Sequence, residues 1–519
     1  MSQQILNLDE LSTLEHRYAG ILGAGELMRR AGDAVARVIE SRIAKPAHVV
    51  IVCGPGNNGG DGYAAALALQ AKGYRVTCAT VTGDAPKTDY AKAMYEAWVK
   101  TGGETVADPY SAGKADAVVD ALFSTGLKKP LSGDWQDAAM WFNERQALHV
   151  SIDIPSGIDM MTGRWVGNAR GCMADVTVSM LAPKAGCYMN YGADAAGTVL
   201  LDELDVSVPL TNVSLSDTDD FRHIAEMRDK NSHKGTYGHV VVIGGDKGTV
   251  GAALLAARAA LKLGAGRVTV ELMCENAPLY DVMQPELMFA AKPLDLTKAD
   301  AVVVGCGMGF SEKALARFKE AIAAPVPLII DADALRLMAK HQDLQDAVLA
   351  RKAHTVITPH PGEAADIIHS TIEKVNADRI TAARELAVQT GCISILKGIG
   401  SVITLRSSRT WINPTGNAML ATAGTGDVLS GMLAAFFAQK FDLVSATIGA
   451  VWLHGEAVKG RAAGVTAGEL RRVRLRFLKP CGRRRMSANR CGRPAPRRGN
   501  PHSFPALLSF DCKALFSVD

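Results

Sequence analysis

At 519 residues and 48% apolar content, the chain is too long for one hydrophobic core and can bury two large cores or about three domains. The formal charge of +4 is uneven: residues 471–519 hold 13 Lys/Arg against 2 Asp/Glu, leaving 44 against 51 in residues 1–470, a balance of −7. A mildly acidic body gives no general case for nucleic-acid binding, and no apolar run reaches the roughly 18 residues of a membrane span.

The opening stretch, 1–12, is polar, carries Asp9 and Glu10, and does not read as a secretory signal. Ten scattered cysteines without a CxxC pair read as reduced thiols, so a cytoplasmic protein is expected.

Residues 9–43 carry a helical spacing, with Leu11, Leu14, Tyr18 and Ile21 on one face and a Gly-Ala-Gly break before residue 26. An apolar run at 49–53 then meets Gly54-Pro55-Gly56-Asn57-Asn58-Gly59-Gly60-Asp61-Gly62, and a helical pattern follows over 63–72. Strand, glycine loop, helix is the order that sets backbone N–H groups and a helix N-terminus against a phosphate. The glycines allow positive φ and close backbone approach. Asn57, Asn58 and Asp61 add groups suited to ribose hydroxyls or a hard cation. An ordinary Asn/Gly-rich turn is the plainer alternative.

A strand is predicted at 75–81 and a helix at 87–101. A buried strand at 117–123 carries Asp120 and runs into Ser124-Thr125-Gly126-Leu127. Another, at 149–154, carries Asp153 and leads into Pro155-Ser156-Gly157. Such alternation implies a parallel sheet with helices on both faces, and ligands bind beyond the carboxyl ends of its strands. An aspartate after an apolar run is either a cap or a functional acid. Two of them, beside the Asn/Asp loop, favour a site. Asn58, Asp120 and Ser156 would supply hard oxygen ligands to a weakly held cation, leaving Asp153 as a general base.

GPGNNGGDG, VVDALFSTGL and SIDIPSGID resemble the motifs of the NAD(P)H-hydrate epimerase family. The resemblance implies that Asn58, Asp120 and Ser156 hold a potassium ion. It implies substrate contacts from Asn57, Asn58, Gly59, Gly60, Asp61, Ser124, Thr125, Gly126, Leu127, Lys128, Lys129, Pro130 and Asp153, with Asp153 the proton shuttle. Ser124 stands where that family usually has glycine.

Residues 206–235 read as a junction, polar and rich in Ser, Thr and Asp over 206–220 and ending in Lys234-Gly235-Thr236-Tyr237-Gly238. A strand at 239–243 then meets Gly244-Gly245-Asp246-Lys247-Gly248 and an Ala/Leu helix over 252–263. Further apolar runs at 267–272, 301–304, 327–330, 355–358 and 393–396 predict a second α/β domain. Four turns carry chemistry. Gly305-Cys306-Gly307-Met308-Gly309 could approach a phosphate. His360 lies between two prolines, and is otherwise a hydrogen-bonded loop histidine. Lys397 opens Gly398-Ile399-Gly400-Ser401, and is otherwise a solvated lysine. Gly424-Thr425-Gly426-Asp427 opens a helix, where Asp427 is a base for a hydroxyl or a simple cap.

KGTYGHVVVIGGD, GAALLAARAAL, TPHPGE and NPTGNAMLATAGTGDVLSGMLAA resemble the NAD(P)H-hydrate dehydratases of the ribokinase-like superfamily. The resemblance implies that Lys397, Gly398, Ile399, Gly400, Ser401 and Gly426 bind nucleotide, ADP by preference, with Mg²⁺. It implies that Ala252, Gly309, His360 and Asp427 contact the hydrate, with Asp427 the catalytic base. The family's usual GPGLG turn is GCGMG here, and Cys306 for proline is expected to loosen the turn without removing a polar group.

The fold expected is therefore two three-layer α/β/α domains, Rossmann-like over 1–212 and ribokinase-like over 213–470. Residues 471–519 form a basic tail with eleven arginines and no acid between 471 and 498, expected to be disordered. The expected partners are small molecules, hydrated NADH or NADPH and ADP, with neither nucleic acid nor membrane, in a homo-oligomer. A ribokinase-like kinase for a small metabolite, fused to a dinucleotide-binding domain, is the alternative enzyme. A non-catalytic dinucleotide sensor is the alternative from another class, and the intact Asp427, Lys397 and His360 argue against it.

Overall fold

Short Val/Ile-rich runs separated by helical stretches build two sheets. The computed structural model describes residues 2–470, apart from 24, 84, 226–228, 278, 462 and 463. The predicted disorder of 471–519 lies outside the described residues.

The first sheet has seven strands: β1 His48–Cys53, β2 Arg75–Thr80, β3 Glu104–Val106, β4 Ala117–Ala121, β5 Leu148–Ile152, β6 Val176–Met180 and β7 Thr198–Asp202. Their order is β3-β2-β1-β4-β5-β6-β7, and every pair is parallel. Strands covered on both faces are apolar throughout rather than alternating. Thus Val49, Ile51 and Cys53 pack toward the face of the long N-terminal helices, while Val50 and Val52 pack toward Trp141 and Phe142. The order reverses between β1 and β4, which opens a crevice at their carboxyl ends.

The second sheet has ten strands: β8 Val213–Leu215, β9 His239–Gly244, β10 Arg267–Leu272, β11 Met288–Phe289, β12 Ala301–Val304, β13 Leu328–Ile330, β14 Thr355–Ile357, β15 Ile393–Leu396, β16 Val402–Thr404 and β17 Thr410–Ile412. Their order is β11-β10-β9-β12-β13-β14-β15-β16-β17-β8. The run from β11 to β15 is parallel, and β16 and β17 fold back antiparallel. Here the order reverses between β9 and β12. No described helix is long and apolar enough to cross a membrane.

Three features differ from the expectations. The junction is not plain linker, because β8 pairs parallel with β17 as the last strand of the second sheet. Gln4 in turn bridges to Ser214, and Ile5, 1% exposed, packs in the core under that sheet. The loop at 54–62 is largely the first turns of a helix, Asn57–Ala71. Gly54, Gly59, Gly60 and Gly62 serve the close approach expected of them, and none takes a positive φ. A Cβ on Gly54 would lie 1.8 Å from the Leu122 carbonyl oxygen, and one on Gly59 would lie 1.9 Å from that of Gly54.

The two halves meet at residues 184–190. Ala185 and Met189 pack into the core under the second sheet, while Cys187 packs into that of the first. Gly400, at φ 63°, lies against this segment so closely that a Cβ would be 2.2 Å from the Tyr188 carbonyl oxygen.

Candidate active sites

The first crevice is a cavity of about 630 Å³ at the carboxyl ends of β1, β4 and β5. Of the residues named from the sequence, Asn57, Asn58, Asp61, Ser124, Thr125, Gly126, Leu127 and Asp153 line it. Gly59 and Gly60 are buried behind it, and Lys128, Lys129 and Pro130 are exposed outside its lining. Glu15 and His16 from the first helix, Phe123, Met180 and Lys184 complete the wall. No motif pointed to Lys184, which lies 31 residues beyond Asp153.

Asp153 is 8% exposed and takes φ 68°, a left-handed conformation, immediately after β5. Its Oδ1 accepts from the Met180 N–H at 3.0 Å and from the buried Lys184 ammonium. Its Oδ2 accepts from the Ser124 hydroxyl at 2.5 Å. Burial pushes the Asp61 carboxyl well above the usual range, and the charges of Asp153 and Glu15 add to that. Glu15 is raised in the same way, by burial first and Asp153 second.

Behind this wall Asp120, wholly buried, accepts from Ser156 N–H at 2.8 Å, Ser156 hydroxyl at 2.6 Å, Ser151 hydroxyl at 2.9 Å and Leu122 N–H at 3.2 Å. Burial still leaves its carboxyl above the ordinary range. Asn58, 6% exposed, has neither its amide oxygen nor its amide nitrogen hydrogen-bonded. A buried amide left this way is costly unless something else meets it.

In the second sheet the polar residues again follow strand ends: Asp246 after β9, Cys306 after β12, Asp331 after β13, His360 after β14 and Lys397 after β15. Asp427 is the third residue of the helix Thr425–Ala438, whose cap is Gly424 without a side-chain bond. Its carboxylate is thus not a cap. The sulfur of Cys306 and one carboxylate oxygen each of Asp331 and Asp427 lie within 4.8 Å of one another. Burial, aided by the Asp331 charge, lifts the Asp427 pKa to about 6.

Lys397 is not a solvated lysine. Its ammonium lies 2.9 Å from Asp331 Oδ1 and 3.9 Å from Glu363 Oε2. Burial opposes its charge, but Asp331, Glu363 and Asp427 hold its pKa above the ordinary value. Burial likewise works against the Asp331 carboxylate, and Lys397, Ser430 and Thr358 hold it below the usual range. A Cβ on Gly426 would lie 3.3 Å from the Lys397 nitrogen, which places that glycine directly over the cation. Ser401 closes the 398–401 turn, its hydroxyl donating to the Gly398 carbonyl at 2.9 Å, and Ile399 is exposed.

His360 caps the helix Pro361–Ile367, its Nδ1 accepting from the Gly362 N–H at 3.0 Å and the Glu363 N–H at 3.3 Å. An accepting Nδ1 leaves the proton on Nε2. Gly309, at φ 72°, donates its N–H to Asp333 Oδ2 at 3.0 Å, and a Cβ there would meet Asp246 Oδ2 at 2.4 Å. Ala252 is half-buried in the first turn of Val250–Lys262. Asp331, Glu363 and Ser430 were missed. Each follows an ordinary apolar run or sits in a helix, and only the fold brings them to Lys397. Cys306 is fully buried and sets a thiol beside Asp427 and Asp331, so the turn loses no polar group and gains a weak one.

Residues 24–186 match the model of the YjeF-related protein N-terminus family, and residues 240–470 match that of NAD(P)H-hydrate dehydratase. The chain is 35% identical to the bifunctional NAD(P)H-hydrate repair enzyme of Escherichia coli (strain K12), over 91% of this chain and 93% of the relative. It is 32% identical to that of Coxiella burnetii, over 86% and 93%. Among solved structures, the ADP/ATP-dependent NAD(P)H-hydrate dehydratase of Bacillus subtilis, co-crystallized with ATP/Mg²⁺, is 29% identical with a TM-score of 0.45, covering 51% of this chain and 97% of its own.

Proposed function

The chain belongs to the family of bifunctional NAD(P)H-hydrate repair enzymes, and from that membership we propose how its two crevices divide the work. The protein epimerises the R and S forms of hydrated NADH and NADPH and dehydrates the S form back to the coenzyme. We assign epimerisation to the crevice of Asp153 and dehydration to that of Asp427.

The observation that carries the second assignment is the state of Asp427. It is uncapped, near a helix N-terminus, and titrates at about 6. Such a base can take the proton of the ring hydroxyl near neutral pH. The freed oxygen then attacks the terminal phosphoryl of ADP, the proton stays on Asp427, and AMP leaves. Hydroxide leaves badly and phosphate leaves well. Electrons from the ring nitrogen expel the phosphate, and a proton lost from the adjacent carbon restores the double bond. Gly426 N–H and the 397–401 turn receive the nucleotide phosphates. Lys397, fixed by Asp331 and Glu363, holds positive charge beside them. His360 Nε2–H is a donor for the hydrate. Mg²⁺ would arrive with the nucleotide phosphates, with a hard carboxylate oxygen of Asp331 to help hold it, and would supply charge neutralisation to the transferring phosphoryl group.

In the first crevice Asp153 takes the proton of the ring hydroxyl as the bond from that carbon to the ring nitrogen breaks, leaving an aldehyde and passing the proton to the nitrogen; re-closure on the other face of the carbonyl, with Asp153 carrying the proton back, gives the other epimer. Asn57, Asp61 and 124–127 hold the hydrate around it. Potassium fits the set Asn58, Asp120 and Ser156, because the amide oxygen of Asn58 is buried and unmet and Asp120 is a buried acid that gains from a nearby cation. The ion would supply charge compensation to an anionic substrate in the crevice. K⁺ should raise the melting temperature, and Asn58→Ala should abolish that rise.

Full-length protein is mixed with both epimers of hydrated NADH, ADP and Mg²⁺, and the nicotinamide absorbance is followed. The wild type should restore all of it. Asp153→Asn should stop at the fraction that began as the S form, and a complete return by that variant would refute the first assignment.

A further inference from the structure

Lys184 lies outside every motif read from the sequence, yet its side chain is 2% exposed and reaches the wall of the first cavity. A buried ammonium persists only where fixed partners replace its water. Two do so: the Met180 carbonyl at 2.7 Å and Asp153 Oδ1.

These contacts divide the two oxygens of Asp153. Oδ1 is filled from the sheet side, by Lys184 and by the Met180 N–H at 3.0 Å. Oδ2 turns toward Ser124, a cavity residue, whose hydroxyl donates to it at 2.5 Å. The backbone of Asp153 stands at φ 68°, a conformation that persists where surrounding contacts over-determine it.

Resting on the assignment of Asp153 as the epimerase base, we propose that Lys184 is its positioning residue: it pins one carboxylate oxygen and so presents the other to the substrate. The charges around it fit this role. Glu15 comes from the first helix, Asp61 from the helix Asn57–Ala71, and Cys187 from the same segment as Lys184, and all three feel Asp153. Lys184 offsets that cluster, with His16 acting on Glu15. Burial first, and then the charges of Asp153 and Glu15, push the Asp61 carboxyl well above the usual range, and Lys184 works against that push.

The test uses the full chain, because the dehydratase reports on the fold of the same molecule. Lys184→Met should lower the epimerase kcat by about 100-fold, the scale of a misplaced catalytic group, with KM within a few-fold. Dehydration of the purified S form should stay within about twofold of wild type. The acid limb of the epimerase pH–rate profile should move to higher pH. Lys184→Cys treated with 2-bromoethylamine regains an ammonium and should recover most of the lost kcat, with wild type as the reagent control. A native kcat and pH profile in Lys184→Met overturns the proposal. So does an equal fall in dehydratase, which would make Lys184 a prop for the 184–190 segment. If the wild type itself does not interconvert the epimers, the assignment of the crevice fails instead.

Discussion

Replacing Asp427 by Asn should silence the dehydratase and stabilise the protein. The side chain is half-buried, with Asp331 and Cys306 as near neighbours and Lys397 already engaged by Asp331. Its pKa stands at about 6 instead of the ordinary 3.8. At 1.36 kcal/mol per pH unit, ionised Asp427 costs the folded state roughly 3 kcal/mol. The sign follows from linkage. Below the unfolded value both states hold the proton and no cost exists; the cost grows as pH rises from 3.8 and is complete above about 6. Asparagine keeps the shape without the charge. Denaturant unfolding at pH 8 should therefore show Asp427→Asn more stable by up to roughly 3 kcal/mol, and the gap should shrink to about half by pH 5. Loss of the base should lower the dehydratase kcat by roughly 10²–10⁴. The wild-type rate should fall about tenfold per pH unit below about 6. A native rate in Asp427→Asn, or a stability gap equal at pH 5 and pH 8, would refute the reasoning.

Three further predictions rest on single contacts. Ser124→Gly removes the hydroxyl 2.5 Å from Asp153 Oδ2 and should raise the epimerase kcat/KM several-fold; a fall would mean that Ser124 relays the proton. Gly400→Ala puts a Cβ 2.2 Å from the Tyr188 carbonyl oxygen at φ 63°. It should cost roughly 1–3 kcal/mol of stability and weaken ADP binding, and an unchanged midpoint and Kd would contradict the close packing. Replacing K⁺ by Li⁺ in the assay should lower epimerisation and spare dehydration, because the unmet amide of Asn58 is in the first crevice alone. Equal loss of both activities would count against a cation there.

The strands and helices were legible where the pattern is local. An apolar run, a glycine turn and a helical period follow from each residue's own neighbours, so β1, β4, β5, β9 and β12 fall within a residue or two of their predicted places. The acids at strand ends were legible for the same reason. Of the two roles expected of the glycines, close approach holds, as Gly54 on Leu122 shows, and positive φ does not. The edge strand β8 was unreadable because its three residues gain their partners, β17 and the chain's beginning, from far away.

The sequence by itself therefore determined the two α/β sheets and the polar turns at the carboxyl ends of their strands, since both depend on short-range periodicity. The tertiary structure alone decided which charges meet. Lys184 reaches Asp153 across 31 positions, Lys397 reaches Asp331 across 66, and the thiol of Cys306 turns toward Asp427. The reason is electrostatic: a buried charge takes its partner from whatever the fold brings within a few ångströms, and the spacing along the chain carries no trace of that distance.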